Sequence, residues 1–478
     1  MGRATGHRAE VLRSIDQLPP GSWERLAPAG DPMWSRGVFR ALERSRVGPS
    51  GYAYLTVRRG AETVAVLPLC LFRDLRLDRI VGPRERRLLA PLRRHAPRLL
   101  RVPMLFCGHL LGQGHVLAAE PLDGPAGELL VSAVLDFARR ERLGTVVLKD
   151  FAGPDLAPLR APLTAAGFFL VPSLPDTELA LPADSFEQYL AALPAKPRRN
   201  ARAKIRRFAA RPGLRIEVLA DFAHLLPAVL ALYGQVMDRA DQTLDVLDHA
   251  FLAAVAEDPL SRLVACFEGE RLVGFLLCLF TPGAGTGSGS GDGTGSGDGT
   301  GSGDGTGAGH GSGAGHGDGD GFGPGTGNGI GFGEAAGAGA GDGDGAGGVA
   351  AAAAGATGAR IGLDYRLAHD AALYHNLHYA AVRLAMAEGC RHIRFAQTAY
   401  LPKVELGCAL VEQWHAMTHV RPLPRALLRR LLPPALTAAR DRALGPHGPL
   451  GPHGGARPAP PHPRAEARTE ERPPHAAR

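Results

Sequence analysis

The sequence predicts an α/β chain of the α+β kind. It reads as two tandem units, each a mixed, mostly antiparallel sheet flanked by helices, with a long glycine-rich insertion in the second. Three observations carry this. Short β-rich apolar runs alternate with stretches of helical apolar spacing, and the scheme occurs twice along the chain. Each half contains an apolar hairpin signature: Tyr52–Arg59 and Thr63–Phe72 around Gly60-Ala-Glu, then Arg262–Phe267 and Leu272–Phe280 around Glu268-Gly-Glu. Finally, two strand-like runs, Arg271–Phe280 and Arg360–Ala368, stand on either side of a tract that cannot build a core.

The first unit spans residues 1–178. Trp23–Leu26 and Val38–Arg46 read as short helices ahead of the first hairpin. Leu129–Arg142 has helical apolar spacing and stops before Gly144. Thr145–Lys149 is a short buried-type strand, Ala157–Ala166 a helix ended by Gly167, and Phe168–Val171 a strand. The Arg- and Pro-rich stretch Arg84–Arg101 has no period and predicts no element.

The second unit spans residues 179–421. Ser185–Leu193 is helical, and the basic run Lys196–Phe208 follows. Leu214–Leu219 reads as a strand, Phe222–Asp238 and His249–Ala256 as helices, and then comes the second hairpin. Beyond the insertion, Ile361–Leu367 alternates large apolar with polar or small residues, as a half-buried strand does. Asp370 has the chemistry of an N-cap for a helix Ala371–Glu388, which Gly389 ends. A strand His392–Phe395, a short polar segment to Gly407 and a last strand near Ala409–Val420 complete the unit. The tail 422–478 opens on the leucine-rich, basic Leu423–Leu432; Pro433-Pro434 predicts a helix break, and the Pro/His/Arg-rich remainder predicts disorder.

From Gly283 to Gly333 every odd-numbered residue is glycine. Such a tract has almost no apolar side chain to bury, and glycine loses the most backbone entropy on ordering. Residues 283–348 are therefore expected to form a flexible, disordered loop within the second unit, between two neighbouring strands. The Gly-Asp-Gly-Thr-Gly-Ser repeat from Gly291 resembles a calcium β-roll, but each turn of a roll needs a large apolar residue and none occurs before Phe322.

The chain has 478 residues and a formal charge of +7. The insertion holds eight acids and no Lys or Arg, so the rest carries about +15. That charge favours anionic partners, although heavy Arg, Ala, Gly and Pro usage is also the mark of a GC-rich genome. The six cysteines are scattered without a CxxC pair to suggest zinc or a dithiol, and several lie in apolar runs that predict buried free thiols. The N-terminus has no apolar signal core, and no run reaches the roughly 20 apolar residues of a membrane span. A cytoplasmic chain without a transmembrane segment is the expectation.

Several local patterns occur in a telling order: the basic run before Phe208, Leu272-Val-Gly-Phe275, Gly362-Leu-Asp-Tyr365, Tyr374–Gly389, and Gln397-Thr-Ala-Tyr400-Leu-Pro-Lys403-Val-Glu-Leu-Gly407. This succession resembles the FemAB-like, BioF2-like acetyltransferase branch of the GNAT superfamily, over roughly residues 10–421 apart from the insertion. Members of that branch often end in a segment GQT-x-Y-x-x-K-x-x-x-G. The resemblance implies two GNAT-like units and transfer of an acyl group from acetyl-CoA or another acyl-CoA, used as a cosubstrate and not tightly held. The acceptor would be an amine or hydroxyl of a small molecule or cell-envelope precursor. Two departures are visible. Ala396 stands where the family segment often has glycine, and His369–Tyr374 lacks the Q/R-x-x-G-x-G/A loop that cradles the CoA pyrophosphate in ordinary GNAT enzymes.

The resemblance places the oxyanion-stabilising backbone N–H on the strand that holds Asp364 and Tyr365. Gln397, Thr398, Tyr400 and Lys403 follow a strand end, where α/β sheets present ligand groups, with Tyr400 an acid or substrate contact and Lys403 a partner for carboxylate or phosphate. The competing reading makes Lys403 a solvated charge and Tyr400 a core cap. His375 is a candidate base beside a thioester, against a plain polar edge on a packed helix; with His378 it offers i, i+3 spacing but no third metal ligand. Asp364 faces an acceptor amine or solvent. Arg198 and Arg202, in the basic run, are candidates for CoA phosphates, with Tyr365 on the cofactor side, against a solvated charged face. No Cys or Ser nucleophile motif presents itself, so transfer is expected to be direct.

Two other functions fit the same fold. A FemAB-type peptidoglycan aminoacyltransferase would use aminoacyl-tRNA; it usually has a helical arm between units, and Ser185–Phe208 is short for one. A degenerate, non-catalytic GNAT scaffold would bind nucleic acid or a protein partner through its basic surface.

Overall fold

The computed structural model of the chain describes residues 6–76, 86–87, 90–122, 124–239, 246–281, 354–368 and 370–445. Strands β1 (His7–Leu12), β2 (Gly51–Arg59), β3 (Glu62–Arg76), β4 (Arg101–Cys107), the two-residue β5 (Leu117–Ala118), β6 (Thr145–Ala152) and β7 (Phe169–Pro172) come from the first half. The rest are β8 (Asp176–Ala180), β9 (Leu214–Leu219), β10 (Ser261–Glu268), β11 (Arg271–Phe280), β12 (Gly355–Leu363), β13 (His392–Arg394), β14 (Ala409–Val411) and β15 (Gln413–His419). The helices that matter below are α1 (Ser22–Leu26), α2 (Arg36–Arg44), α3 (Gly124–Arg140), α4 (Phe186–Ala192), α5 (Ala195–Ala209), α6 (Leu226–Met237), α7 (His249–Ala256), α8 (Leu373–Ala387), α9 (Tyr400–Glu405) and α10 (Pro422–Leu444).

Two mixed sheets flanked by helices result, as the sequence predicts. One runs β1-β2-β3-β4-β6-β15-β7, with β5 attached to β3; the other runs β14-β8-β13-β12-β11-β10-β9. Both hairpins form. The β2–β3 turn needs Gly60, whose φ of 61° is left-handed and free of strain only for glycine. In each sheet the pair joined through the long helix is parallel, β4 with β6 through α3 and β12 with β13 through α8, and the other ladders are antiparallel.

Each half sends a strand into the other half's sheet. β8, which follows β7 directly, lies between β13 and β14; β15, which follows β14, lies between β6 and β7. The sequence reading places the end of the first unit at residue 178, inside β8, and treats Ala409–Val420 as one strand. In the structure that stretch is divided at Glu412 between the two sheets. The sheets also share a core. Phe72, Met104 and Phe169 of the first meet Leu263, Phe275 and Leu277 of the second, together with Phe222, Leu232 and Phe251.

β11 and β12 are antiparallel neighbours, paired from Gly274–Leu363 to Phe280–Ala356. The chain leaves at Thr281, whose N–H donates to Gly355 O (3.1 Å), while Gly355 N–H donates to Thr281 Oγ1 (2.9 Å). The reading straight across the insertion therefore holds, and the expected disorder of 283–348 lies outside the described residues. β12 itself starts earlier than expected, at Gly355, and ends at Leu363.

Other local readings change. Asp364 and Tyr365 are not on the strand: Asp364 caps a short helix, Tyr365–Ala368. α8 begins at Leu373 behind a left-handed Ala372 (φ 50°), and Asp370 is paired with Arg211 at 3.7 Å instead of capping it. The polar segment before Gly407 contains α9, and helix Ala90–His95 forms inside the stretch left unassigned. α10 continues through Pro433 and Pro434. Those prolines remove two N–H donors, but Leu428, Leu432 and Leu436 pack against the shared core and hold the helix on β7 and β15. All six cysteines are buried free thiols, where the sequence predicts this of several.

Candidate functional site

The parallel pair in the second sheet separates early. β13 pairs with β12 only from Gly355–His392 to Thr357–Arg394. Beyond Thr357, β12 runs on to Leu363 with β11 on one side and, among the described residues, no strand on the other. A bulge shifts the β11 ladder here: Cys278 faces Gly358, Leu277 faces Arg360, and Ala359 is the extra residue. At the crotch, Thr357 is 4% exposed and its hydroxyl has no hydrogen-bond partner. A buried polar atom left unpaired costs free energy, which makes this a place for a ligand group.

The chain leaving β13 turns through three left-handed non-glycine residues, Ala396 (φ 57°), Thr398 (φ 69°) and Ala399 (φ 49°). At each of these positions a Cβ is strained, as it would not be at a glycine. The ammonium of Lys403 holds this turn, donating to Phe395 O (2.5 Å), Ala396 O (2.9 Å) and Gln397 O (3.1 Å). Burial pushes Lys403 down to about 8, against the pull of Asp176.

Tyr400 donates to Pro175 O (2.9 Å), and Gln397 Nε2 donates to Leu174 O and to Gln413 Oε1 (both 2.9 Å). Thr177 Oγ1 donates to Ala396 O (2.6 Å). Gln397, Tyr400 and Lys403 thus lie together, and apart from the Gln413 side chain what they grip is main chain: the turn after β13 and the crossing between β7 and β8.

The same seam holds residues that the sequence reading passed over. Arg394 reaches Asp31 Oδ2 (2.7 Å) and Gln113 of the first half, Asp176 (3.6 Å) and Glu178 (3.4 Å). Near the end of β6, Asp150 is left-handed (φ 58°), buried and bonded to Lys149 and Ser173, with His415 Nδ1 accepting its N–H at 3.2 Å. Burial opposes ionisation of Asp150, but the charge of Lys149, together with the hydrogen bonds from Lys149 and Ser173, holds it at about 2. No local pattern marks this group, since Asp150 and His415 stand 265 positions apart.

His375 belongs to a separate cluster joining α5, α8 and α9. Lys204 Nζ lies 2.7 Å from His375 Nε2 and 2.5 Å from Glu405 Oε2. Burial, then Lys204, pushes His375 down to about 4, so at neutral pH the ring is neutral and Nε2 accepts from the ammonium. His378 does not join it. Its Nδ1 is 2.7 Å from Tyr374 O, its ring stacks on Tyr374 at 4.2 Å, and burial pushes it down to about 3.

The remaining candidates are dispersed. Asp364 accepts from Arg366 (2.6 Å) and Arg271 (3.1 Å), and the hydrogen bond from Arg366, ahead of that from Arg271, holds it at about 2. The Tyr365 ring lies 4.1 Å from the Arg239 guanidinium. Arg198 donates to Ala191 O (2.7 Å), and Arg202 is exposed with Lys196, Arg199 and Arg206 along α5. Among the described residues no group of three or more His, Cys, Asp or Glu is placed to hold a metal, and no helix is long and apolar enough to cross a membrane.

No known family model matches the chain, and no curated protein matches it. Solved structures do. FemX is 10% identical with a TM-score of 0.46, covering 88% of this chain and 99% of that one. A tandem GNAT protein from the clavulanic acid biosynthesis pathway is 12% identical with a TM-score of 0.44, covering 87% and 99%. L-PGS from Bacillus licheniformis is 10% identical with a TM-score of 0.40, covering 87% and 99%. These structural neighbours are GNAT-fold proteins.

Proposed function

We propose that the chain is an acyltransferase that works by direct transfer, with the acyl donor lying along the open edge of β12. The observation that carries this is the early parting of β12 and β13 around the unpartnered Thr357 hydroxyl. An open strand edge offers N–H and C=O groups to an amide-bearing arm such as that of acyl-CoA, and an N–H aimed at the donor carbonyl stabilises the oxyanion. The acceptor amine or hydroxyl, from a small molecule or cell-envelope precursor, attacks the carbonyl carbon. Its bond to carbon forms as the C–S bond breaks, and its proton ends on the departing thiolate.

In this reading Gln397, Tyr400 and Lys403 set the mouth of the cleft, and His375 with Lys204 and Glu405 sets α8 against α9. Asp364 anchors the far end of β12, with Tyr365 beside it, and Arg198 and Arg202 face the anionic part of the donor. The six free, buried thiols support a reduced, cytoplasmic setting. The exposed basic face of α5 (Lys196, Arg199, Arg202 and Arg206) favours a second donor, aminoacyl-tRNA, whose backbone it would meet.

The test is thermal stabilisation by acetyl-CoA followed by thiol release with a panel of amines and hydroxyl compounds. A bound donor raises the melting temperature by mass action. Stabilisation and acceptor-dependent release are expected. Their absence at millimolar acetyl-CoA, with transfer from charged tRNA, would replace the donor; absence of both would leave a binding scaffold.

A further inference from the structure

α10 carries an apolar stripe that nothing in the described structure covers. Leu423, Leu427 and Leu431 are 83%, 58% and 54% exposed. They stand at i, i+4 and i+8, so they share one face. Leu401, on the adjoining α9, is 67% exposed, and these four are all but one of the exposed large hydrophobic residues among the described residues. The opposite face, Leu428, Leu432 and Leu436, is already spent on the shared core. The helix is therefore fixed to the body with a second apolar face outward.

The surroundings of the stripe are cationic. From Arg421 to Leu432 the segment has four arginines and no acid, and Arg429 and Arg430 are exposed. Leucines in a row with Arg430 beside them, on a segment whose other exposed charges are arginines and a helix too polar to span a bilayer, match the requirements of an anionic lipid surface: acyl-chain contact for the leucines and headgroup phosphate for the guanidinium group. A second copy of the chain is disfavoured by the like charge it would bring. A nucleic acid would leave the leucines without an apolar partner.

We propose that α10 docks the protein on anionic membranes, with Leu423, Leu427, Leu431 and Leu401 entering the interface, Arg430 beside them on the headgroups and Arg429 adding longer-range attraction from the far side of the helix. The helix is already folded and packed, so docking fixes the orientation of the whole body.

The experiment is co-sedimentation of the full chain with vesicles of phosphatidylcholine alone or with about a third phosphatidylglycerol. Binding is expected only to the anionic vesicles, and it weakens as salt rises. Leu427→Asp with Leu431→Asp reduces it to the level seen with neutral vesicles, and Arg429→Gln with Arg430→Gln weakens it roughly thirtyfold. Melting temperatures of both variants stay at the wild-type value, since all four side chains are exposed. Failure of the wild type to bind anionic vesicles overturns the proposal. So does a concentration-dependent dimer that the leucine variant abolishes, which would assign the stripe to a second copy. So would loss of binding on ending the chain at Gly445 while the leucine variant still binds, which would assign it to the residues beyond.

Discussion

Lys403 is 4% exposed and gives its ammonium to three consecutive main-chain carbonyls. Replacing it with Met strands those carbonyls at a left-handed turn, and a loss of about 3 kcal/mol is expected in urea unfolding. If Lys403 instead served only the chemistry, K403M would keep the wild-type urea midpoint while losing transfer. The same turn makes a prediction of opposite sign. Ala396 has a φ of 57°, where a Cβ is strained, so Ala396→Gly should raise stability by about 1 kcal/mol, read as a higher melting temperature. The buried histidines add a pH dependence. Burial pushes His109 and His375 down to about 4 and His378 to about 3, whereas an unfolded histidine titrates near 6.5. Between those values the unfolded chain binds more protons, so stability falls as pH drops from about 6.5 to 4. A melting series should show the fall, and His378→Asn should flatten it. Asp150 and Asp364, held at about 2, contribute stability above about pH 3.9 that disappears only as pH falls through 2.

At the scale of elements, the second hairpin and the strand after the insertion act as one three-stranded piece. Thr281 and Gly355 are hydrogen-bonded across the point where residues 282–353 leave and return. A closure cost that grows only logarithmically with length lets the sheet tolerate so long an insertion. Replacing 282–353 with a short turn should therefore leave the circular dichroism spectrum, melting temperature and transfer rate at wild-type values; a collapse of the melt would mean that the insertion supports the sheet. The hairpins were legible because apolar runs flank glycine turns, and β11 because it is apolar from Leu272 onward apart from Gly274. β1, β4 and β8 were missed: His7–Leu12 and Asp176–Ala180 are short and mix charges with apolar residues, and Arg101–Cys107 follows an arginine-rich stretch. α10 was misjudged because a proline pair weakens a helix locally, while the core beneath decides whether it forms.

For the whole molecule, the reciprocal strand exchange and the shared core make two halves into one folding unit. Residues 1–178 alone would lack β15 between β6 and β7, and 179–421 would lack most of β8. The halves, expressed separately, are expected to be unfolded in solution, and the full chain to melt in one transition seen alike by calorimetry and circular dichroism. Two transitions, or an independently folded half, would refute this. The exchange also builds the candidate site, because Gln397 and Tyr400 grip the crossing between β7 and β8, and His415 reaches Asp150 only through β15. Period, turn chemistry and apolar content along the chain determined the two-sheet α/β class, both hairpins and the strand neighbours of the insertion. The tertiary structure alone decided which sheet receives β8 and β15, what the cluster holds, and which acids and histidines meet at the seam. Local pattern records which face of an element is apolar; it carries no record of partners hundreds of residues away, which only packing and hydrogen-bond satisfaction select.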